Sequence, residues 1–308
     1  MKIIVIEANS RNQLIFGLSC LRGKVKLKSL EKIFIVIGEI NKKNFYFDDI
    51  VKFLNASGIK VVISNRKNFL NNIGKSSVHS LYTFSLVPVA LLKYKIFNLS
   101  SAQIFRYEEG LGNYAHWIST SRALFSLNFF YLALRVPISF FLCKILNTLK
   151  ITINYYLIKK DNTILYELKN LIIQTISEIN SFNLKNNTNQ HHINYKYKAL
   201  ACINSLEDFH KFQDYENFVD LALIKPHPRL FKGNYDNFQS KIFFYKGNLT
   251  AEELVFAYKI PIVIGFDSSA PVYCSILYNI RGINIKSSNS LYCKRVHSIF
   301  NKFATTKN

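Results

Sequence analysis

A chain of 308 residues with 49% apolar and 15% aromatic content can fill about two domains, which excludes a disordered basic tail and a small disulfide scaffold. Forty Lys and Arg oppose 19 Asp and Glu, a net charge of +21, so an anionic partner has to be weighed. The cations are 31 Lys and 9 Arg beside 32 Asn; AT-rich coding yields that mixture unaided, yet it does not explain the shortage of carboxylates.

The start, Lys2-Ile3-Ile4-Val5-Ile6-Glu7, has too short an apolar run for a signal peptide and reads as a buried first strand. Asn9 and Ser10 suit the cap of a helix running through Leu21. Apolar runs at residues 33–37 and 61–63 read as strands. Between them Asp48 and Asp49 open a helix through Leu54, which Gly58 ends. Residues 81–94 are a third helix candidate and residues 103–107 a further strand. Strands alternating with helices predict a parallel sheet covered on both faces.

Residues 110–160 contain no carboxylate. The most apolar stretch, residues 123–146, carries Asn128, Arg135, Pro137 and Lys144, so it suits a single spanning helix poorly. Residues 115–160 form an apolar, basic, helical segment with two readings. One is a contact with an anionic membrane surface; the other is a core helix with a solvated basic face. Leu165, Leu168, Ile172, Ile176 and Ile179 recur at three and four and predict an amphipathic helix. The Asn-rich stretch 181–194 reads as a linker, with His191 and His192 facing solvent.

The alternation then repeats. Strands are expected at residues 198–203, 221–224, 242–245, 261–265 and 282–285, the last of the chain. Helices are expected at 206–212 and 251–258, the second capped by Thr250 with Glu252 and Glu253 in its first turn. The expected fold class is α/β: two Rossmann-like domains, 1–180 and 195–290, with a ligand cleft between them. Cys20, Cys143, Cys202, Cys274 and Cys293 lie far apart, without CxxC or a Cys/His cluster, and read as reduced thiols rather than metal ligands.

Three segments at predicted strand ends carry chemistry. In Tyr107-Glu108-Glu109-Gly110, adjacent carboxylates repel, and one facing a cleft gains the raised pKa of a general base. Gly110 and Gly112 allow a tight turn there. The alternative is a solvated acidic loop. In Lys225-Pro226-His227-Pro228-Arg229, two prolines stiffen the backbone around a histidine flanked by cations, which suits an anionic leaving group. In Gly265-Phe266-Asp267-Ser268-Ser269, two hydroxyls at a helix start suit a phosphate, or simply cap the helix.

Taken together, Tyr-Glu-Glu-Gly, Lys-Pro-His-Pro about 115 residues later and Ser-Ser about 40 later again resemble the bacterial sialyltransferases and polysialyltransferases. Those families have an acidic-acidic-glycine, a His-Pro and a Ser/Thr-rich motif in that order. The resemblance spans residues 103–271 and implies a GT-B fold with metal-independent inverting transfer from CMP-sialic acid. It implies no cofactor beyond that CMP-sugar donor and a glycan or glycolipid acceptor in lipooligosaccharide or capsule. Carried over, Glu108 or Glu109 is the base, with Glu108 in the first motif position. His227 assists departure of CMP, and Ser268 and Ser269 bind its phosphate. Lys225, Pro228 and Arg229 lie near the nucleotide. Glu253 is a ribose or cytidine candidate that capping alone also explains. No Asp-x-Asp metal motif occurs.

The expected place is the cytosolic face of the inner membrane, held peripherally. Two alternatives stay open: a transferase using CMP-Kdo or a CDP-polyol, and an inactive membrane-bound assembly protein. Nucleic acid is not an expected partner, since no recognised motif occurs and Arg is scarce.

Overall fold

The computed structural model describes residues 3–26, 30–37, 47–73, 78–84, 103–107, 152–159, 161–186, 196–214, 221–226, 242–245, 247–286 and 294–307. They fall into two compact units, residues 3–186 and 196–307 of that set.

The first unit holds strands β1 (Ile3–Glu7), β2 (Lys32–Ile37), β3 (Lys60–Asn65), β4 (Val78–Thr83), β5 (Gln103–Tyr107) and β6 (Thr152–Tyr155). All pair in parallel, in the order β3-β2-β1-β4-β5-β6. Its helices are α1 (Arg11–Arg22), α2 (Asp48–Ala56), α3 (Arg66–Ile73) and α4 (Tyr166–Asn186). Alternate strand residues face opposite ways, so a sheet covered on both faces reads as a continuous apolar run. Ile3, Val5, Phe34, Val36, Val78 and Leu81 pack with Phe69 of α3 on one face. On the other, α1 comes so close that a Cβ on Gly17 would sit 2.7 Å from Ile6. Ser10 caps α1 as expected, accepting from the Gln13 N–H at 3.3 Å.

Helices α1 and α4 are joined through polar contacts as well as apolar ones. The Ser19 hydroxyl donates to Thr175 Oγ1 at 3.1 Å, and Arg22 pairs with Glu178. Arg11 forks onto Asp49 of α2, and Asn183 of α4 donates to the same carboxylate.

The second unit holds β7 (Ala199–Ile203), β8 (Ala222–Pro226), β9 (Ile242–Phe244), β10 (Ile262–Phe266), β11 (Arg281–Ile285) and β12 (Thr305–Lys307). They are again all parallel, in the order β12-β11-β10-β7-β8-β9. Helices α5 (Leu206–Asp214), α6 (Ala251–Tyr258), α7 (Ala270–Tyr278) and α8 (Lys294–Phe303) accompany them. Ala199, Ala201 and Ile203 face one core, with Phe209 and Phe212 of α5. Leu200 and Cys202 face the other, with Leu254 of α6 and Cys274 of α7. Read from its own first strand, each sheet has the order 3-2-1-4-5-6 of a Rossmann fold.

Four expectations are corrected. Residues 81–83 are strand, the end of β4, not the start of a helix; Ser80, Leu81, Tyr82 and Thr83 are all buried, as the middle of a sheet requires. Residues 152–155, the tail of the segment expected to be helical, form β6. Helix α4 runs on through Asn186, so the first part of the expected linker is helical, and Ile179 and Asn180 are buried in it. Residues 282–285 are not the last strand, because α8 and β12 follow. Helix α3 had no expectation attached, since its window is rich in Asn and its apolar face is narrow. Cys20, Cys202 and Cys274 are buried and form no disulfide.

Glu108, Glu109, Gly110, Gly112, His227, Pro228 and Arg229 lie outside the described residues, as does the apolar stretch 123–146. Among the described residues no helix is long and apolar enough to cross a membrane.

Candidate functional site

In each sheet the chain works outward from its first strand and then returns to that strand's other side. The carboxyl ends at the reversal are where open parallel sheets bind ligands. In the second unit these are the ends of β7 and β10. Asn204 follows β7, and its Nδ2–H donates to the Phe266 carbonyl at the end of β10 at 2.9 Å. Its backbone N–H donates to Asp208 Oδ2 at 2.9 Å, and the Asp208 N–H donates to Ser205 Oγ at 3.1 Å, a reciprocal cap on α5. Burial raises the Asp208 pKa, against the pull of the Asn204 and Ser205 donors.

Asp267 follows β10 with φ +45°, the left-handed region that Asp and Asn tolerate best. Its N–H donates to Ile285 O at 3.2 Å, and Asn284 Nδ2–H donates to its Oδ1 at 3.3 Å. Ser268 Oγ accepts from the Ala270 N–H at 3.3 Å. Ser269 is the N-cap of α7 without a side-chain cap bond. All three are half-buried. The arrangement offers hydroxyls and a helix amino end to an anion.

Gly265 lies directly beneath this turn. A Cβ there would stand 2.8 Å from the Pro271 ring and 2.9 Å from Ser268 Cβ, both too close. Gly265→Ala therefore has to displace the serines or the strand. It should cost about 1–3 kcal/mol in a urea titration, the range for overpacking, and weaken any anion held by Ser268 and Ser269. Wild-type stability in that variant would show the turn to be pliable.

Lys225 is half-buried near the end of β8, opposite Cys202 of β7 in register. Its ammonium lies 5.5 Å from the centre of the Tyr245 ring, a cation–π distance. Burial pushes the Cys202 thiol up to about 12, Lys225 pulling against it and Glu252 adding to it. Strands β8 and β10 flank β7, so their ends are about 10 Å apart. His227 follows one of those ends and Ser268 the other.

Glu253 is fully buried, and its carboxylate accepts from the Thr250 N–H at 2.8 Å while Thr250 Oγ1 accepts from the Glu253 N–H at 3.2 Å. This capping box accounts for Glu253 without a ligand.

In the first unit the reversal lies between β1 and β4. Glu7, 6% exposed, ends β1. Thr83, at the end of β4, donates to its carboxylate, and the Tyr107 hydroxyl donates to its backbone carbonyl. The strand end that precedes Glu108 is thereby fixed against two neighbours.

No protein family and no curated protein matches the chain in sequence. In structure it is similar to the α/β-galactoside α-2,3-sialyltransferase of the luminous marine bacterium Photobacterium phosphoreum. The TM-score is 0.58 at 14% identity, over 99% of this chain and 98% of that one. The fold is GT-B. A second similar structure is the E. coli heptosyltransferase WaaC with ADP, at TM-score 0.43 and 10% identity, over 99% of this chain and 92% of that one.

Lys225, Ser268 and Ser269 thus stand on one rim of the second sheet, and Glu253 is a cap. Sequence reasoning missed Asn204, Asp267 as a strained link, and Glu7. The signal for Asn204 was present: a polar Asn-Ser closing an apolar strand. Among the described residues no group of three or more His, Cys, Asp or Glu is placed to hold a metal ion.

Proposed function

We propose that the chain is an inverting glycosyltransferase that moves sialic acid from CMP-sialic acid to a cell-surface glycan without a metal. The observation that carries the reading is positional. Each of the three motifs directly follows the carboxyl end of a parallel strand: Glu108 after β5, His227 after β8 and Asp267 after β10. These are the ends at which open parallel sheets bind ligands.

In this reading Glu108 or Glu109 takes the proton of an acceptor hydroxyl. The freed oxygen attacks the anomeric carbon of the donor as its bond to the phosphate oxygen breaks. The electron pair leaves with CMP, and His227 donates a hydrogen bond or proton to that phosphate. Ser268, Ser269, the amino end of α7, Lys225 and Arg229 hold the developing charge. Placing base and leaving-group ligands around one bound pair removes much of the entropic barrier to a single displacement. Peripheral attachment at the cytosolic membrane face belongs to the same proposal, through the carboxylate-free residues 110–160.

The test is thermal. CMP at 100 times its Kd should stabilise the protein by about 2.7 kcal/mol through linkage, while UDP and GDP do little. Equal stabilisation by all three overturns the CMP assignment. Incubation with CMP-sialic acid and a panel of galactosides, read by mass spectrometry, then identifies the acceptor.

A further inference from the structure

Residues 268–308 contain no Asp or Glu and six Lys or Arg. A cavity of about 540 Å³ opens on this part of the fold, lined by Arg281, Asn301, Lys302, Thr305 and Thr306 among others. Arg281 starts β11 and Thr305 starts β12, so the cavity lies at the amino ends of these strands. Asp267, Ser268 and Ser269 follow the carboxyl end of β10, at the opposite rim of the same parallel sheet.

The lining is chemically suited to one class of ligand. Arg281 is exposed and offers a planar fork that matches two phosphate oxygens. Lys302 adds a second cation from the last turn of α8, its ammonium 5.5 Å from the Phe303 ring centre. Its place in that turn offsets the negative end of the helix dipole, which would otherwise oppose an anion. Thr306 Oγ1 donates to Asn301 Oδ1 at 3.0 Å and ties β12 to α8 across the cavity. The apolar side of α8 holds it in place, with Val296, Ile299 and Phe300 fully buried.

We propose that this cavity is a second anion site, which takes a phosphate group through Arg281 and Lys302. It does not depend on the donor reading above. The phosphate can come from a soluble ligand or from a phospholipid headgroup, and the experiment separates the two. The full chain is titrated calorimetrically with inorganic pyrophosphate and sedimented with vesicles of phosphatidylglycerol or of phosphatidylcholine. Arg281→Glu with Lys302→Glu is compared with Lys67→Glu, an exposed lysine of the first unit. A urea midpoint for each variant reports the fold.

One cation near an anionic bilayer is worth about fivefold in partitioning. The double variant should therefore lose at least about tenfold, either in phosphatidylglycerol binding or in pyrophosphate affinity, with its urea midpoint kept. Loss confined to vesicles names a lipid headgroup; loss confined to pyrophosphate names a soluble phosphate. Wild-type binding in neither arm, an unchanged double variant, or an equal loss in Lys67→Glu overturns the proposal.

Discussion

His227→Ala should lower transfer from CMP-sialic acid by about 10²–10⁴-fold, the usual contribution of a positioned acid or base, and leave the fold intact. The second half of that expectation comes from the strand. The pairing of β7 with β8 ends at Ile203 and Pro226, one residue before His227. Pro226 is buried, and prolines on both sides of position 227 hold the backbone whatever the side chain is. The loss should therefore appear in kcat and not in the urea midpoint. His227→Asn keeps a hydrogen-bond donor without a titratable proton. Substantial activity in it would mean that His227 binds the phosphate, and a loss as deep as in His227→Ala that it transfers a proton. Near-normal turnover in His227→Ala excludes both roles.

The fold was readable where the sheet is covered on both faces. Ile3-Ile4-Val5-Ile6 and Ile33-Phe34-Ile35-Val36-Ile37 are unbroken apolar runs because helices lie on both sides, and their short length and β-branched content mark them as strands. Residues 81–83 were misread as the start of a helix because the strand Val-His-Ser-Leu-Tyr-Thr mixes polar and apolar residues. Ser80 and Thr83 are buried, Thr83 against Glu7, in a strand that lies between β1 and β5. That is a tertiary fact with no local signal. The end of α4 was misread for the opposite reason. Asn-rich composition suggests a linker, but Asn183 is held by Asp49, which is 134 residues away in the chain.

The candidate site was legible as motifs and not as geometry. Serines after a strand were visible, whereas the positive φ of Asp267 and the Asn204 bond to Phe266 depend on a strand pairing across about sixty residues. Glu253, expected either to meet ribose or cytidine or simply to cap a helix, is seen in a cap. Thr-x-x-Glu is itself a capping box, and the structure spends the carboxylate on the backbone.

The largest effect on stability should come from Asp49→Ala. Arg11 is 4% exposed in its side chain and reaches the two oxygens of Asp49 at 2.6 and 2.7 Å; Asn183 adds a third bond at 2.7 Å. One carboxylate thus joins α1, α2 and α4. Removing it takes the carboxylate fork from a guanidinium that is 4% exposed, and hydrogen bonds to a charged group contribute about 1.5–3 kcal/mol each, against about 5–15 for a whole domain. Arg11→Met should be milder, because the carboxylate left behind is 31% exposed and can be hydrated. The pH dependence separates the pair from mere packing. Burial works to raise the Asp49 pKa, but the Arg11 pair with the Asn183 and Ile50 donors outweighs it, and the pKa is lowered from 3.8. A carboxyl depressed in the folded state stabilises above its unfolded pKa and loses that contribution as pH falls through the folded one. The gap in urea midpoint between wild type and Asp49→Ala should therefore be full near neutrality and shrink below about pH 4. A gap that stays constant down to pH 2 would mean that Asp49 acts through packing rather than charge.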